Sequence, residues 1–222
     1  MIIDQIKDLS KNSKCLLLFS GGFDSTLCAY WLKKHLIDFE GLHFSYENRP
    51  RQEIRAANEI SKALNFKLTN FDLPLKDQRL NSDDLNFSNK AWFPYRNAIF
   101  FAISANICYD RKCNTIVTGF RSWDTPYFSD STRIYLESLM SVLSVSGYSE
   151  FDRALDLFLP FIDTHALVSK IYRDDQGCRE ILDRSWSCWA DEEVSCGECA
   201  PCKARSRFFL AMETGDGAYE FE

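Results

Sequence analysis

An apolar run that leads directly into two adjacent glycines is the feature that most constrains the fold of this chain. Residues 15–19, Cys-Leu-Leu-Leu-Phe, are too few for a helix and show no polar alternation, which is typical of a central parallel strand buried on both faces. The chain continues through residues 20–25 as Ser-Gly-Gly-Phe-Asp-Ser. Because two glycines let the backbone turn tightly and approach a ligand without an intervening Cβ, the pattern predicts a strand, a tight loop and then a helix.

The helix predicted after this loop makes the loop a site for an anion. Ser25 and Thr26 can cap an amphipathic segment over residues 27–34, which leaves free N–H groups and the positive end of the helix dipole facing the loop. The glycine spacing matches neither the Walker pattern nor the dinucleotide-binding fingerprint. An ordinary strand-turn-helix corner with a capping serine uses the same residue types. We favour a phosphate loop because a strand, two glycines, an acid and a serine occur in this order.

A second motif lies near the other end of the chain and consists of four cysteines. They are Cys188, Cys196, Cys199 and Cys202. Four thiolates at this spacing can close a tetrahedron around one zinc ion and leave no open position for water, which predicts a structural zinc site. An iron–sulfur cluster also takes four cysteines and is the alternative. Disulfides are disfavoured because the nine cysteines are an odd number and no secretory leader precedes the first predicted strand, so we expect a reducing, cytoplasmic environment.

Apolar runs alternate with helical patterns along the chain. Strands are predicted over residues 15–19, 39–44, 67–73, 115–118 and about 158–161, and helices up to 34, over 51–64, 96–110 and 132–143, and from about 165. Crossover helices must pack on the sheet, so the pattern predicts an α/β fold with a doubly wound parallel sheet. Ligands then bind beyond the carboxyl ends of the strands. We divide the chain into a main domain over residues 1–180 and a small zinc-binding region over residues 181–222.

Composition agrees with a single soluble core and disfavours two classes of partner. The 222 residues are 45% hydrophobic and 14% aromatic, which is enough to fill one substantial core. A net charge of -6 disfavours broad electrostatic binding to nucleic acid. No apolar stretch approaches the roughly 20 residues that a membrane span needs. We therefore expect a soluble cytoplasmic protein.

The loop Ser-Gly-Gly-x-Asp-Ser resembles the PP-loop of the N-type ATP pyrophosphatases, whose members cleave ATP between the α- and β-phosphates and adenylate an oxygen of the substrate. Together with the cysteine motif, it makes the chain resemble the QueC family of 7-cyano-7-deazaguanine synthases over nearly its full length. The other motifs that carry the resemblance are Phe-Pro-Tyr-Arg-Asn at 93–97, Val-Thr-Gly at 117–119, Asp124 and Asp130, Pro160, Lys170, and Trp-Ser-Cys at 186–188. Their ordered series is more specific than any one of them.

The resemblance implies an adenine nucleotide alpha hydrolase-like, Rossmann-like fold, the cofactors ATP, Mg²⁺ and Zn²⁺, and a set of site residues. The residues implied to bind ATP are Phe19, Ser20, Gly21, Gly22, Asp24, Ser25, Arg96 and Gly119. Those implied to be catalytic are Ser20, Asp24, Ser25 and Lys170, with Asp24 ordering the loop or binding Mg²⁺. Those implied to bind the substrate are Tyr46, Arg49, Arg96, Asn97, Asp124, Phe128 and Asp130. The implied zinc ligands are the four cysteines.

The implied reaction follows from the low reactivity of a carboxylate, whose resonance-stabilised anion is a poor electrophile. In the family the substrate is 7-carboxy-7-deazaguanine. One ATP forms the acyl adenylate, ammonia gives the amide, and a second ATP activates the amide oxygen for loss as the nitrile. We expect the deazapurine and free ammonia as small-molecule partners, while a homodimer and a protein acceptor stay open.

The chain departs from the family pattern in loops expected to face the substrate. Residues 48–50 read Asn-Arg-Pro where Gln-Arg-His is usual, residues 128–132 read Phe-Ser-Asp-Ser-Thr where Tyr-Pro-Asp-Cys-Arg is usual, and Tyr95 replaces a usual glycine. A histidine, a cysteine and an arginine are therefore missing, whereas the phosphate loop and the zinc motif are retained. The sequence consequently supports activation of a carboxylate more firmly than it identifies the acceptor.

Three functions stay open from the sequence. The first is deazaguanine nitrile synthesis for modified nucleosides. The second is a QueC-like paralogue of an antiviral defence or DNA-modification system that passes the activated deazaguanine to another amine, on a macromolecule. The third is a non-catalytic nucleotide-binding module, which the intact phosphate loop disfavours. Sulfur-transferring PP-loop enzymes that act on tRNA are a further alternative, disfavoured by the acidic charge.

Overall fold

The fold is that of a computed structural model, which describes residues 14–47, 49–76, 95–121, 129–146, 155–162, 165–190 and 192–214. Its strands are β1 (Cys15–Leu18), β2 (Phe39–Glu47), β3 (Leu68–Lys76), β4 (Thr115–Val117) and β5 (Asp156–Phe158). Its helices are α1 (Phe23–Lys34), α2 (Arg51–Ala63), α3 (Arg96–Arg111), α4 (Arg133–Ser146), α5 (His165–Asp174), α6 (Gln176–Leu182) and α7 (Ala200–Thr214). A short 3₁₀ turn spans Ser129–Ser131.

The five strands form one parallel sheet in the order β3-β2-β1-β4-β5. Cys15 at the start of β1 lies opposite Phe39 of β2 and Thr115 of β4. The chain first builds outward from β1 to β3 and then returns to the other side of β1 with β4. Strand order therefore reverses between β1 and β4, which is where open α/β sheets bind ligands. The predicted fold class is confirmed.

Helices cover both faces of the sheet, and this explains why residues 15–18 show no polar alternation. Leu17 of β1 packs with Leu27 of α1 in one core. Leu16 packs with Phe101 of α3 and Leu136 of α4 in the other core. Leu16 and Leu17 are both fully buried, so these successive side chains each meet an apolar surface and neither needs to be polar.

Strand β5 begins two residues and ends three residues earlier than the sequence pattern predicts. The last bond beside its ladder is the one that the Thr118 N–H donates to the Phe158 carbonyl, at 3.2 Å. Pro160 has no N–H with which to extend the ladder. Phe161 and Ile162 are nevertheless buried, one in each core. Burial in a turn therefore produces the apolar run that resembles a strand.

The carboxy-terminal helix α7 packs against α1 through aromatic rings. The ring of Phe208 lies 4.6 Å from the ring of Phe23 and 5.8 Å from that of Tyr172 on α5. The boundary between residues 1–180 and 181–222 stays a prediction. Within the described ranges, no helix combines the length and the apolar character needed to cross a bilayer.

Candidate functional site

The predicted phosphate loop follows β1 and is closed by its own hydroxyl groups. The Gly22 N–H donates to Ser20 Oγ at 3.1 Å, and the Ser25 hydroxyl donates to the Gly22 carbonyl at 3.1 Å. The two serine oxygens lie 3.0 Å apart. Helix α1 begins at Phe23, so the N–H groups of its first turn adjoin the loop. Hydroxyl donors and a helix N-terminus thus converge on one small volume.

The capping expected from Ser25 or Thr26 is wrong in its detail. The N-cap residue of α1 is Gly22, and no side chain caps the helix. Ser25 bonds within the loop instead, and Thr26 is fully buried with no hydrogen-bond partner for its hydroxyl among the described residues. The first N–H groups of α1 are therefore left for a ligand rather than satisfied by a serine, which favours anion binding at this end.

Two glycines allow the loop to lie against neighbouring backbone. Gly21 has a φ of +83°, and a Cβ there would lie 2.7 Å from the Ala57 nitrogen and 2.8 Å from the Glu53 carbonyl oxygen of α2. A Cβ on Gly119, which follows β4, would lie 2.7 Å from the backbone of Asp24. Real Cβ atoms do not approach backbone so closely. The loop therefore sits between α2 and the end of β4, and both glycines are required for its position.

Asp24 forms an ion pair that the sequence pattern does not predict. Arg121 Nε lies 2.5 Å from Asp24 Oδ1, and the Arg121 side chain is only 12% exposed. The guanidinium also lies over the rings of Phe23 and Phe208, at 5.5 and 6.0 Å. Burial raises the pKa of Asp24, and the nearby guanidinium opposes that shift. Only the order of the strands could have suggested this pair from the sequence. Arg121 follows β4, and the end of β4 lies beside the loop that follows β1.

Phe19 contributes backbone and core contacts at the start of the loop. Its N–H donates to the Leu42 carbonyl at 2.8 Å, and its own carbonyl lies 3.0 Å from His43 Nδ1. Its ring packs edge-on against Phe66 at 5.2 Å. His43 is fully buried, and burial lowers its pKa to about 3, so the imidazole is neutral. Since a neutral ring must donate to the carbonyl through Nδ1–H, this bond fixes the strand end that precedes Ser20.

Arg49 ties the end of β2 to α2. Its Nε lies 2.8 Å from Glu53 Oε2, and its Nη1 donates to the Phe44 carbonyl at 2.5 Å. The guanidinium lies over the Tyr46 ring at 5.4 Å. These contacts explain why an arginine is held beside the loop, and they leave its predicted contact with the substrate a prediction.

The start of α3 is joined to the 3₁₀ turn. Asn97 Nδ2 donates to the Asp130 carbonyl at 3.1 Å, and both residues are buried. Asp130 Oδ1 is buried without a hydrogen-bond partner in the described part of the chain. Tyr95, immediately before α3, has a φ of +61°, which accounts for the glycine that relatives usually carry there. Two of the predicted substrate residues are thus brought together, with an acceptor oxygen left for a ligand.

The remaining predicted residues are less informative. Arg96 is the first residue of α3, and its side chain is half-buried. Lys170 lies on α5 with an exposed side chain, and no hydrogen bond or ion pair joins it to the described loop residues. Asp124 and Phe128 lie outside the described residues.

The four predicted metal ligands lie together, with all four sulfurs within 4.8 Å of one another. The Cys188 sulfur lies 3.5 Å from that of Cys196 and 3.9 Å from that of Cys199, and the sulfurs of Cys196 and Cys202 are 4.0 Å apart. Zinc–sulfur bonds of about 2.3 Å in a tetrahedron separate the sulfurs by roughly 3.8 Å. The arrangement therefore fits one metal ion, and the thiols are free rather than joined as disulfides.

Backbone donors surround these sulfurs. The N–H groups of Ala190 and Cys196 donate to Cys188 Sγ at 3.3 and 3.4 Å. The N–H of Cys199 donates to Cys196 Sγ at 3.4 Å. Together with the N–H of Glu198, it lowers the pKa of Cys196 to about 6. Gly197, with a φ of +72°, makes the turn between them. The backbone is thus arranged to stabilise thiolates, the form that binds metal.

Comparison with known proteins identifies the family. The model of a family described as queuosine biosynthesis protein QueC matches residues 14–213. The 7-cyano-7-deazaguanine synthase of a Nitratiruptor species is 28% identical over 210 residues, covering 88% of this chain and 93% of that protein. The enzyme of the same name from Campylobacter jejuni serotype O:2 is 27% identical over 218 residues, covering 89% and 94%.

A solved structure shares the fold at low sequence identity. The NMN synthetase of Francisella tularensis superposes with a TM-score of 0.53 at 14% identity, over 99% of this chain and 83% of that one. This likeness concerns the fold alone. Because the family model spans the phosphate loop, the sheet and the cysteine cluster described above, this chain belongs to the QueC family.

Proposed function

We propose that the protein is an ATP-dependent carbon–nitrogen ligase that adenylates the carboxylate of 7-carboxy-7-deazaguanine and releases pyrophosphate. The observation that carries the proposal is the loop of residues 20–25, closed by its hydroxyls at the N-terminus of α1 and at the β1/β4 switch point. Its membership of the QueC family and relatives named 7-cyano-7-deazaguanine synthase support the choice of substrate.

In the proposed reaction, a carboxylate oxygen attacks the α-phosphorus of ATP, and pyrophosphate leaves. Ammonia then attacks the acyl carbon, AMP leaves with that oxygen, and the amide forms. The amide oxygen attacks the α-phosphorus of a second ATP, and a second pyrophosphate leaves. Loss of AMP together with the two amide protons then gives the nitrile. Each cycle thus removes one substrate oxygen on AMP, so the complete conversion consumes two ATP per nitrile.

The loop residues serve this chemistry by binding phosphate oxygens. The Gly22 N–H and the hydroxyls of Ser20 and Ser25 now bond to one another, and they can exchange these bonds for bonds to the leaving pyrophosphate. Donors held in position before the reaction stabilise developing charge without reorganisation. Asp24 is a carboxylate of the type that suits Mg²⁺, which neutralises phosphate charge when bound. We keep Phe19, Gly21, Arg96, Gly119 and Lys170 as proposed nucleotide-site residues.

The deazaguanine ring is proposed to bind beside α3 and the 3₁₀ turn. Asp130 offers a buried acceptor oxygen that has no partner among the described residues. A guanine-like ring carries an N–H and an amino group side by side, and a carboxylate can accept hydrogen bonds from both. Asn97 holds the Asp130 backbone in place. Tyr46, Arg49, Asp124 and Phe128 complete the proposed substrate set.

The cysteine cluster is proposed to hold a structural zinc ion. The distances between its sulfurs fit a single ion. The four thiolates that bind an iron–sulfur cluster are spaced further apart, because each binds a different iron. Four thiolate ligands leave no position for a substrate, so the metal supplies local folding energy. We further propose a cytoplasmic enzyme with its main domain over residues 1–180 and this cluster in a region over residues 181–222.

A second function within the same chemistry is supported by the altered loops. Pro50, at the usual histidine position, is the N-cap of α2, and Ser131, at the usual cysteine position, is buried beside Asp130. Neither can supply the proton chemistry of the residue it replaces. A paralogue that passes the activated deazaguanine to another amine, on a macromolecular acceptor, is therefore the alternative.

The deciding experiment incubates the protein with ATP, Mg²⁺, ammonia and 7-carboxy-7-deazaguanine and measures AMP, pyrophosphate and products by mass spectrometry. We expect nitrile with two AMP per product. A reaction that stops at the adenylate or the amide supports the second function. AMP formation that is unchanged when the deazaguanine is omitted refutes both, because adenylation requires the substrate oxygen in line with the α-phosphorus.

A further inference from the structure

The phosphate loop is bonded to the segment that leads into the cysteine cluster. The backbone N–H of Trp186 donates to the Gly21 carbonyl at 3.0 Å. The Trp186 carbonyl lies 3.6 Å from where a Cβ of Gly22 would be. Trp186 therefore packs against the two glycines from the side of the carboxy-terminal region, although it is 165 positions away from Gly21 in the sequence.

This bond fixes the direction of a second group, the Gly22 N–H. The Gly21 carbonyl and the Gly22 N–H belong to one planar trans peptide unit, so they point in opposite directions. With the carbonyl held outward by Trp186, the N–H points inward, to Ser20 Oγ at 3.1 Å. Glycine on both sides of this peptide removes the steric barrier that other residues place against its rotation. A rotated peptide would present its carbonyl oxygen to the phosphate instead of a donor.

Trp186 and the segment just before it are in turn held by two sets of bonds. Its indole Nε1 donates to the Cys188 carbonyl at 2.9 Å, which joins it to a candidate metal ligand. On the other side, Arg205 of α7 donates to Ser185 Oγ at 2.7 Å and to the Leu182 carbonyl at 3.0 Å. Arg205 lies three residues after Cys202. A metal that joins Cys188 to Cys202 would therefore fix both anchors of Trp186 at once.

We infer that residues 185–188, held by the cysteine cluster and by Arg205, are the positioning element that orients the Gly21–Gly22 peptide for phosphate binding. The inference rests on the proposed function, since it concerns how the same loop binds ATP. Trp186 and Arg205 act through the loop and are positioning residues. The cysteine cluster then supports nucleotide binding as well as local folding.

The test compares two variants with two matched controls. Trp186→Phe removes the indole donor and keeps an aromatic ring, while Trp189→Phe makes the same change at a second tryptophan that packs on the cysteine cluster. Arg205→Met removes the bonds to Ser185 and Leu182, while Arg207→Met makes the same change at an exposed position of α7. For each protein, hydrogen–deuterium exchange of residues 20–26 is followed without nucleotide, and the dissociation constant for ATP with Mg²⁺ is measured by calorimetry.

We expect Trp186→Phe, Arg205→Met and chelation of the metal to accelerate exchange in the loop and to weaken ATP binding. The loss of a hydrogen bond that holds residues 185–188 predicts a roughly 3- to 10-fold change in the dissociation constant. With metal bound, the controls should match the unaltered protein in both measurements. Unchanged loop exchange in Trp186→Phe and after chelation overturns the inference. Failure of the unaltered protein to bind ATP refutes the proposed function instead, and the exchange measurement still decides the inference because it needs no nucleotide.

Discussion

Replacing three glycines by alanine separates backbone conformation from close packing at the phosphate loop. Gly21 has a positive φ, and its Cβ would lie within 2.8 Å of α2 backbone atoms. Gly119 has the close approach, at 2.7 Å to Asp24, without a positive φ. Gly197 has a φ of +72° and nothing within 4 Å of its Cβ. Alanine at Gly21 therefore carries both costs, alanine at Gly119 only the packing cost, and alanine at Gly197 only the conformational cost.

The expected losses in free energy of unfolding follow from these two costs. A left-handed backbone costs a residue with a Cβ about 1–2 kcal/mol, which is the whole loss expected for Gly197→Ala. Overpacking against atoms that cannot move aside costs about 1–3 kcal/mol, which is the loss expected for Gly119→Ala. Gly21→Ala combines both and should lose about 2–5 kcal/mol. That is a large share of the roughly 5–15 kcal/mol by which folded domains are stable.

Urea unfolding followed by circular dichroism gives these free energies, and calorimetry gives ATP affinity for the same proteins. Gly21→Ala and Gly119→Ala should both weaken ATP binding, since either Cβ displaces the loop or the first turn of α1. Gly197→Ala should bind ATP normally when its cysteine cluster is loaded with metal, because the added Cβ lies in open space. If Gly21→Ala loses no more stability than Gly197→Ala, the loop does not lie against α2 as described, and the packing argument is wrong.

Three further perturbations test other parts of the molecule. Elemental analysis should find about one zinc per chain, and a coloured iron–sulfur chromophore would contradict this. Cys199→Ser should lose the zinc, and proteases should then cut the carboxy-terminal segment while the phosphate loop is still protected. Ser20→Ala and Asp24→Asn should abolish substrate-dependent pyrophosphate release without altering the circular dichroism spectrum, and normal turnover by both would remove the loop from the mechanism. Glu40 is half-buried, which raises its pKa, yet bonds from the side chains of Lys14 and Lys67 lower the pKa overall to about 2. Its ionised form therefore stabilises the fold fully above pH 4.5, the ordinary pKa, and this contribution is lost as the pH falls towards 2. Glu40→Gln should make the free energy of unfolding less dependent on pH in this range. An unchanged pH dependence would show that the pairing contributes nothing.

The features that the sequence predicts well are those encoded by adjacent residues. Residues 15–25 specify a buried strand and a glycine loop because burial on both faces and a tight turn each act within a few residues. The cysteine cluster is predicted for the same reason, since two-residue gaps bring Cys196, Cys199 and Cys202 to one point. The pattern places strand β5 too late because burial at Phe161 comes from the turn's packing, which local pattern cannot separate from a strand.

The features that the sequence misses depend on residues far apart in the chain. Arg121 meets Asp24 only because β4 returns to the side of β1, and Trp186 meets Gly21 only because α7 and its cluster pack against α1. Each pair follows from the topology rather than from spacing. For Arg49 the sequence predicts the position, after β2 and at the same sheet edge as the loop. It does not predict the partners, which are Glu53 and the Phe44 carbonyl.

The pairing of Asp24 with Arg121 changes where the attraction for phosphate must come from. A carboxylate beside a polyphosphate repels it, and the guanidinium 2.5 Å away cancels that charge locally. Among the described residues of the loop, the donors that remain are the Gly22 N–H, the first-turn N–H groups of α1 and the serine hydroxyls. These are fixed dipoles, whose strength depends on direction as well as on distance. A loop that contributes dipoles rather than charges needs its peptides held in one orientation. The bond from Trp186 to the Gly21 carbonyl should therefore matter to a reaction that takes place on the other side of that peptide.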